Sequence, residues 1–598
     1  MAAQQQQSAT LPPFPARSLE ECNKILTSPG MPYEYTFETI RGRKTRVYKN
    51  APPNVRAVWL NSANVFANKE YLVFEDERYT YKQAAERVNA IVATLYHRFG
   101  CRKGDRIAIC SRNLPEFCFL FHAAHVLGCV IVCVNAWLSQ EAFIHCATVA
   151  TPRVLVVDQE RLKMTLQGLD EIRWAGATST ILALRVPKPP SGVLSFSAEV
   201  DNYVKQGGSL KVPMVDIGPE DVATILFTSG TTGLPKGVIG TNRQYISCLI
   251  NSTYSGARAL LRRGENIPAP DPNAPQKVML LATPLFHAIG CHSSLGVMTA
   301  MGGKLVILGK WDTQKAVRLI IDEKITSAGG LPFVATEMVD SLLSEGKHCL
   351  ETVTYGGSPS AGNLPKRISD KLGKNTHPGN GYGATETSSL ATGLIGEDYI
   401  LRPTSAGLPP PIIEVKIVDD NGRELGRHQV GEVLMKGGSV TNGYLRAPES
   451  TAKTFDEDGW YHSGDIGYLD DEGYLYISDR AKDIIIRGGE NIASVAVEDV
   501  IYKHDGVKEL AVVSVPHDKL GEEVAAAVVL KSSHQGKVSA DEIKKLVAAN
   551  LPKHMVPVFV CFRDELERNG VGKIDKRVAR TIVRDLYNKQ GGDSKAKL

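Results

Sequence analysis

Asp221-Val-Ala-Thr-Ile-Leu-Phe-Thr-Ser-Gly-Thr-Thr-Gly-Leu-Pro-Lys-Gly237 decides how the chain is read. A β-branched, apolar run from Val222 to Phe227 predicts a buried strand that delivers the chain into a loop. That loop carries four hydroxyls, Thr228, Ser229, Thr231 and Thr232, between Gly230, Gly233 and Gly237. Glycine permits close backbone approach, and hydroxyls with amide hydrogens supply many donors, a combination suited to phosphate oxygens. Lys236 adds a positive charge. It is not a Walker loop, which needs Ser or Thr directly after the lysine to hold magnesium, whereas Gly237 stands there. Thr241 with Gln244 predicts a capping box opening the next helix.

Outward from this loop, short apolar runs such as Arg106–Cys110, Val154–Val157, Lys304–Leu308 and Glu414–Val418 alternate with longer helical patterns. The expected class is therefore α/β, with helix-covered sheets through about residue 400. From Ile412 the turns crowd: Asp420-Asn-Gly422, Asp458-Gly459 and Glu472-Gly473 predict a β-rich subdomain. After Asp479 a small α+β unit follows, containing Leu510–Val515 and Val524–Leu530 and ending in a basic helical stretch from Asp575 to Lys589. The expected division is a disordered lead-in over 1–30, a large domain over 31–479 and a hinge at 480–482. A small mobile domain over 483–588 and a flexible tail over 589–598 complete it.

The 598 residues are 43% hydrophobic and 22% charged, which fits an ordinary globular chain and excludes a fibrous or disordered one. The net charge of +4 is too small over this length to imply nucleic acid as a partner. Eleven cysteines are scattered without CxxC pairs or zinc spacing, so reduced thiols are expected. The most apolar stretch, Phe117 to Cys133, is broken by His122, His125 and Gly128 and predicts a buried helix running into a strand rather than a membrane span. Ala596-Lys597-Leu598 is similar to the S-K-L peroxisomal address. It predicts an import receptor as partner and the peroxisome as location, with the cytoplasm as the fallback.

Thr228–Gly237 resembles the signature of the adenylate-forming superfamily, which includes acyl-CoA synthetases, 4-coumarate–CoA ligases, firefly luciferase and stand-alone adenylation domains. Further segments are similar to its other motifs, and the resemblance implies a role for each of their characteristic residues. On that likeness, in Gly381-Tyr-Gly-Ala-Thr-Glu-Thr387, Gly381 and Gly383 belong to the nucleotide-binding site, Tyr382 covers adenine, Thr385 meets the α-phosphate and Glu386 holds Mg2+. In Tyr461–Gly467, it gives Asp465 the task of accepting from the ribose hydroxyls. In Ser478–Ile492, it implies that Arg480 contacts nucleotide, that Lys482 is the hinge residue, and that Gly488 and Gly489 line the thiol path. In Arg568–Lys576, it makes Lys573 the bridge between the substrate carboxylate and the α-phosphate, offsetting the repulsion of two anions.

Pro284–Gly290 resembles the segment entering the acyl pocket, with His287 near the carboxylate. The Phe286-His287 pair lacks the Asp that amino-acid-activating relatives use against an ammonium. By the same resemblance, Tyr355–Pro359 places Gly356, Gly357 and Ser358 in the pocket lining. Ala496 and Val571 depart from the family pattern, which often has Glu and Ser or Thr there. The resemblance thus implies ATP, Mg2+ and coenzyme A as reactants of a carboxylic-acid–CoA ligase, with a fatty acid expected. Two alternatives stay open: an aryl-acid ligase, and a catalytically silent relative that only binds nucleotide or acyl adenylate.

Overall fold

The computed structural model describes residues 14–174, 176, 180–228, 234–269, 271, 273–342, 347–358, 360, 362–480, 482–488, 490–569 and 572–589. The Val222–Thr228 strand forms as expected and pairs antiparallel with Lys236–Thr241 and parallel with Val130–Cys133. It belongs to a seven-stranded sheet whose central strands, Arg106–Cys110, Val130–Cys133 and Val154–Val157, are almost wholly buried. Continuous apolar runs are what a parallel strand covered on both faces requires. The Phe117–Cys133 stretch is the expected helix and strand: Pro115–Leu127, with Pro at its first position, ends on Gly128 at φ 69°. No helix among the described residues is long and apolar enough to cross a membrane. All eleven cysteines are free thiols, ten of them buried.

A second sheet has eight strands, ordered 392–395, 377–382, 352–356, 327–330, 278–281, 304–307, 70–74 and 77–80. Between the two sheets runs Asn242–Arg262, opened by the predicted capping box of Thr241 and Gln244. Its far end is fixed by the buried pair Arg262–Asp398, bidentate at 3.0 and 2.9 Å. The β-rich subdomain is a four-stranded antiparallel sheet, Ile413–Val418, Gly431–Gly437, Tyr461–Leu469 and Leu475–Arg480. Its hairpins turn at the expected Asn-Gly and Glu-Gly sites. The last unit has its own five-stranded sheet, in which Gly521–Leu530 is central, pairing antiparallel with Val507–His517 and parallel with Phe559–Arg563. Helices Ser494–Ile501, Ala540–Asn550 and Lys576–Lys589 cover it.

The lead-in departs from expectation. Instead of lacking order to residue 30, the chain forms a helix over Leu19–Leu26, with a reciprocal Ser18–Glu21 capping box and buried Cys22 and Leu26. Tyr254 donates to Asn23 at 2.7 Å and Arg262 donates to the Arg17 carbonyl at 2.9 Å. Two apolar side chains one helical turn apart suffice to dock a short helix once a cap satisfies its first amides. Positions 1–13 lie outside the described residues.

Candidate active site

The second sheet's strand ends build one wall. His377–Tyr382 lies parallel to Thr352–Gly356 so closely that a Cβ at Gly356 would stand 2.2 Å from the Gly381 carbonyl oxygen. Only glycine fits there. Tyr382 follows, half-buried, and its hydroxyl donates to the Asp465 carboxylate at 2.6 Å. Burial first, and then the Asp465 charge, hold that phenol well above its ordinary range.

Asp465 arrives from the antiparallel sheet, where it registers opposite Arg480. The Arg480 guanidinium reaches its other oxygen at 3.2 Å, and the Asp465 amide donates to Ser463 Oγ at 3.0 Å. One carboxylate thus has each oxygen engaged by a separate group. Both partners are of the kind a diol can replace.

Thr385 and Glu386 lie in the short Thr385–Thr387 helical turn. Glu386 is 8% exposed, and Tyr444 donates to it at 2.7 Å. Burial raises its carboxyl, with the Tyr444 hydrogen bond acting against it. A buried carboxylate whose side-chain hydrogen-bond partner is a neutral phenol favours a cation beside it. Lys236 stands 5.3 Å from the centre of the Tyr444 ring, so the end of the first loop joins this group. Thr228 pairs with Lys236 across the hairpin. Ser229, Gly230, Thr231, Thr232 and Gly233 lie outside the described residues.

The small unit contributes Lys573. Its loop is closed by the Arg568–Ile574 bridge and by Asn569, which accepts from the Gly572 and Lys573 amides at 2.9 and 3.1 Å. Gly572 takes φ 80°, and its face meets Leu331 and Trp137 of the large domain. Lys573 Nζ reaches within 3.6 Å of where a Cβ on Gly357 would be, and Ile289 comes within 3.5 Å of the same point. Burial pulls the Lys573 ammonium down to about 8, with Arg480 repelling it and Asp465 acting against the shift.

His287 closes the floor. Its Nε2 is buried without a partner among the described residues. Burial, then the Lys573 charge, lowers the ring to about 3, so it is a neutral imidazole. Ser358 is half-buried at the same strand end as Gly356 and Gly357.

The remaining sequence candidates stand at the junction with the small unit or within it, and Lys482 feels the charges of Arg480 and Asp465. Lys482 is exposed between the Leu475–Arg480 and Ile485–Arg487 strands. Gly488, at φ 58°, donates to the Leu520 carbonyl of its own unit at 2.8 Å. Gly489 lies outside the described residues, as do Val571 and the terminal Ala596-Lys597-Leu598.

Sequence reasoning missed three groups. Tyr444, the partner of Glu386, lies in the segment after the Gly431–Gly437 strand, bridged to Val238, with nothing local to mark it. Phe333 lies under the Arg568 guanidinium at 4.3 Å, and Glu337 faces Lys508 at 3.5 Å. Beneath the Lys573 loop, buried Glu498 accepts from Lys576 at 2.8 Å. Among these, only Lys576 carried a signal, since it stands three residues after Lys573.

Residues 59–445 match the family model described as AMP-binding enzyme, and residues 496–573 match the AMP-binding enzyme C-terminal domain. The chain is 32% identical to a long-chain-fatty-acid–CoA ligase of Mycobacterium tuberculosis, over 86% of this chain and 94% of that one. It is 31% identical to 4-coumarate–CoA ligase 3 of Oryza sativa subsp. japonica, over 83% and 86% respectively. The structure of ATP-bound MatB from Rhodopseudomonas palustris superposes with a TM-score of 0.75 at 26% identity, over 89% of this chain and 100% of that one.

Proposed function

The chain belongs to the AMP-binding enzyme family, among the adenylate-forming acyl- and aryl-CoA ligases, and from that premise we propose that it activates an aliphatic, fatty-acid-type carboxylate. The carboxylate attacks the α-phosphate of ATP, forming acyl-AMP and releasing pyrophosphate. The thiol of coenzyme A then attacks the acyl carbon, forming the thioester and releasing AMP. The observation that carries the reading is the convergence of Lys573, Glu386 and the Tyr382–Asp465–Arg480 group on the strand ends around Gly357.

Each residue has work to do. Asp465 exchanges Tyr382 and Arg480 for the ribose hydroxyls, and Tyr382 is then free to cover adenine. Lys573 lies between the carboxylate and the α-phosphate and stabilises the charge that gathers there. His287, neutral, donates or accepts a hydrogen bond at the carboxylate without adding charge. Thr228, Lys236 and Thr385 meet the phosphates. Glu386 fits a magnesium ion, because it is a buried carboxylate without a cationic hydrogen-bond partner among the described residues, and magnesium favours one or two carboxylates plus phosphate oxygens. Such an ion would neutralise phosphate charge. The 480–482 segment is the hinge about which the small unit turns, bringing Gly488 and Gly489 to the thiol path.

ATP–pyrophosphate exchange with a panel of aliphatic and aromatic acids tests the first step, and CoA-dependent AMP release tests the second. Exchange with no acid would refute the activity, and exchange with aromatic acids alone would move the substrate to the aryl class. The terminal Ala596-Lys597-Leu598 supports a peroxisomal address. A fluorescent fusion that stays punctate after those three residues are deleted would refute it.

A further inference from the structure

The phosphate loop leaves the first sheet at Thr228, the last residue of its strand, and the opposite end of the same strands holds a separate cavity. Arg106, Val130 and Val222, each the first residue of its strand in a parallel set, line a space of about 310 Å3. Ile225, Ile239 and Leu445 complete its apolar wall. Val222, Ile239 and Leu445 are only half-buried, so the hollow keeps branched apolar side chains in contact with water. Its volume lies at the lower end of the range of small-molecule pockets.

The mouth carries positive charge that the fold does not balance. Lys103 is paired with Asp221 at 2.7 Å. Arg106 has no such partner. Its guanidinium donates to Thr151 Oγ1 at 2.6 Å, and the Arg446 guanidinium donates to the same oxygen at 3.1 Å. Two like charges thus converge on one neutral hydroxyl. Burial, then the Arg446 charge, lowers the Arg106 guanidinium, with Asp105 acting against the shift. Asp105 itself is engaged elsewhere, by the Arg102 amide at 2.8 Å and by Arg153 at 3.7 Å. Among the described residues neither Arg106 nor Arg446 has a carboxylate hydrogen bond or ion pair. A guanidinium carries five donors in a planar fork that matches a carboxylate. An apolar hollow with two such groups at its mouth is therefore complementary to an amphipathic anion, whose chain the wall shields from water.

We propose that this cavity is a second binding site, distinct from the nucleotide and acyl site, for a medium-chain fatty carboxylate, with its head on Arg106 and Arg446 and its chain along Val222, Ile225, Ile239 and Leu445. The site goes beyond the ligase reading and stands close to its machinery. A Cβ on Gly237 would lie 2.9 Å from Ile225 and 3.4 Å from Leu445, and the Leu445 amide donates to the Gly237 carbonyl at 2.7 Å. The cavity wall is thus next in sequence to both Lys236 and Tyr444.

The test is calorimetric titration of the full chain with decanoate while the active site is saturated with a non-hydrolysable analogue of hexanoyl adenylate, so that the acyl pocket is filled. One saturable decanoate site is expected. Decyltrimethylammonium, the same chain with a cationic head, should bind at least about tenfold more weakly. Arg106→Gln and Arg446→Gln should each weaken decanoate by about tenfold, and Arg446 is exposed, so that variant keeps the fold. Absence of a saturable decanoate site, equal binding of the cationic amphiphile, or an affinity unchanged in both variants would each overturn the site. Decyl phosphate binding about tenfold more tightly than decanoate would overturn the carboxylate assignment in favour of a phosphorylated lipid. ATP–pyrophosphate exchange judges the ligase reading separately.

Discussion

The two halves of the site are built on different terms. The wall at Gly356, Gly381 and Glu386 is close-packed backbone, with strand ends too near for any Cβ and a carboxylate enclosed beside Tyr444. The Lys573 loop is a docked visitor. It meets the large domain through the face of Gly572, the Arg568–Phe333 stack and the Lys508–Glu337 pair, whose side chains are 48% and 29% exposed. A wall of the first kind has one geometry and serves every step. A contact of the second kind is weak enough to be made and broken within a turnover.

The sharpest way to break that contrast is Lys573→Ala. If the loop serves only the adenylation step, exchange should fall by about 10²–10³-fold, the usual loss for a positioned charge-stabilising donor. Thioester formation from supplied acyl-AMP should change little. Equal losses in both assays would make Lys573 part of the permanent wall. Next in size is Asp465→Ala, expected to raise the KM for ATP about tenfold or more and to slow both half-reactions, because ribose is held throughout. A loss confined to one half-reaction would place Asp465 with the visitor.

The wall was legible in the sequence because its chemistry is local. Gly381, Tyr382 and Glu386 lie within six residues, and close approach demands glycine at fixed places. The Val222–Thr228 strand and the capped helix after Thr241 were legible for the same reason, since periodicity and caps are written in neighbouring residues. Tyr444 was not, because its role exists only once the segment after Gly431–Gly437 pairs with Val238 and lays it over Glu386. Nor was the Leu19–Leu26 helix, whose stability comes from packing on Asn242–Arg262, more than two hundred residues away.

Titration separates the halves more finely. Burial lowers the Lys573 ammonium from 10.5 to about 8, so the charged form is lost as pH rises through about 8. The kcat/KM for exchange, which reports the free enzyme, should therefore fall above pH 8, approaching tenfold per pH unit. Lys573→Arg keeps its charge and should move that limb out of range, whereas thioester formation from acyl-AMP should show no such limb. A limb that persists in Lys573→Arg would assign the titration to another group.

The smallest effect is the most diagnostic of how the visitor is held. Phe333→Ala removes the ring under Arg568, and Lys508→Glu sets a like charge against Glu337; neither residue touches the nucleotide group. Exposed contacts of this sort are worth at most about 1 kcal/mol each, so exchange should fall by only about two- to fivefold. The direction in the other half-reaction carries the information. If the small unit turns about 480–482 as proposed, loosening the docked arrangement makes its other orientation more populated, so thioester formation from acyl-AMP should hold steady or rise. Parallel declines in both half-reactions would mean that these contacts support the fold of the loop rather than its docking, and the contrast between wall and visitor would fail at the interface meant to define it.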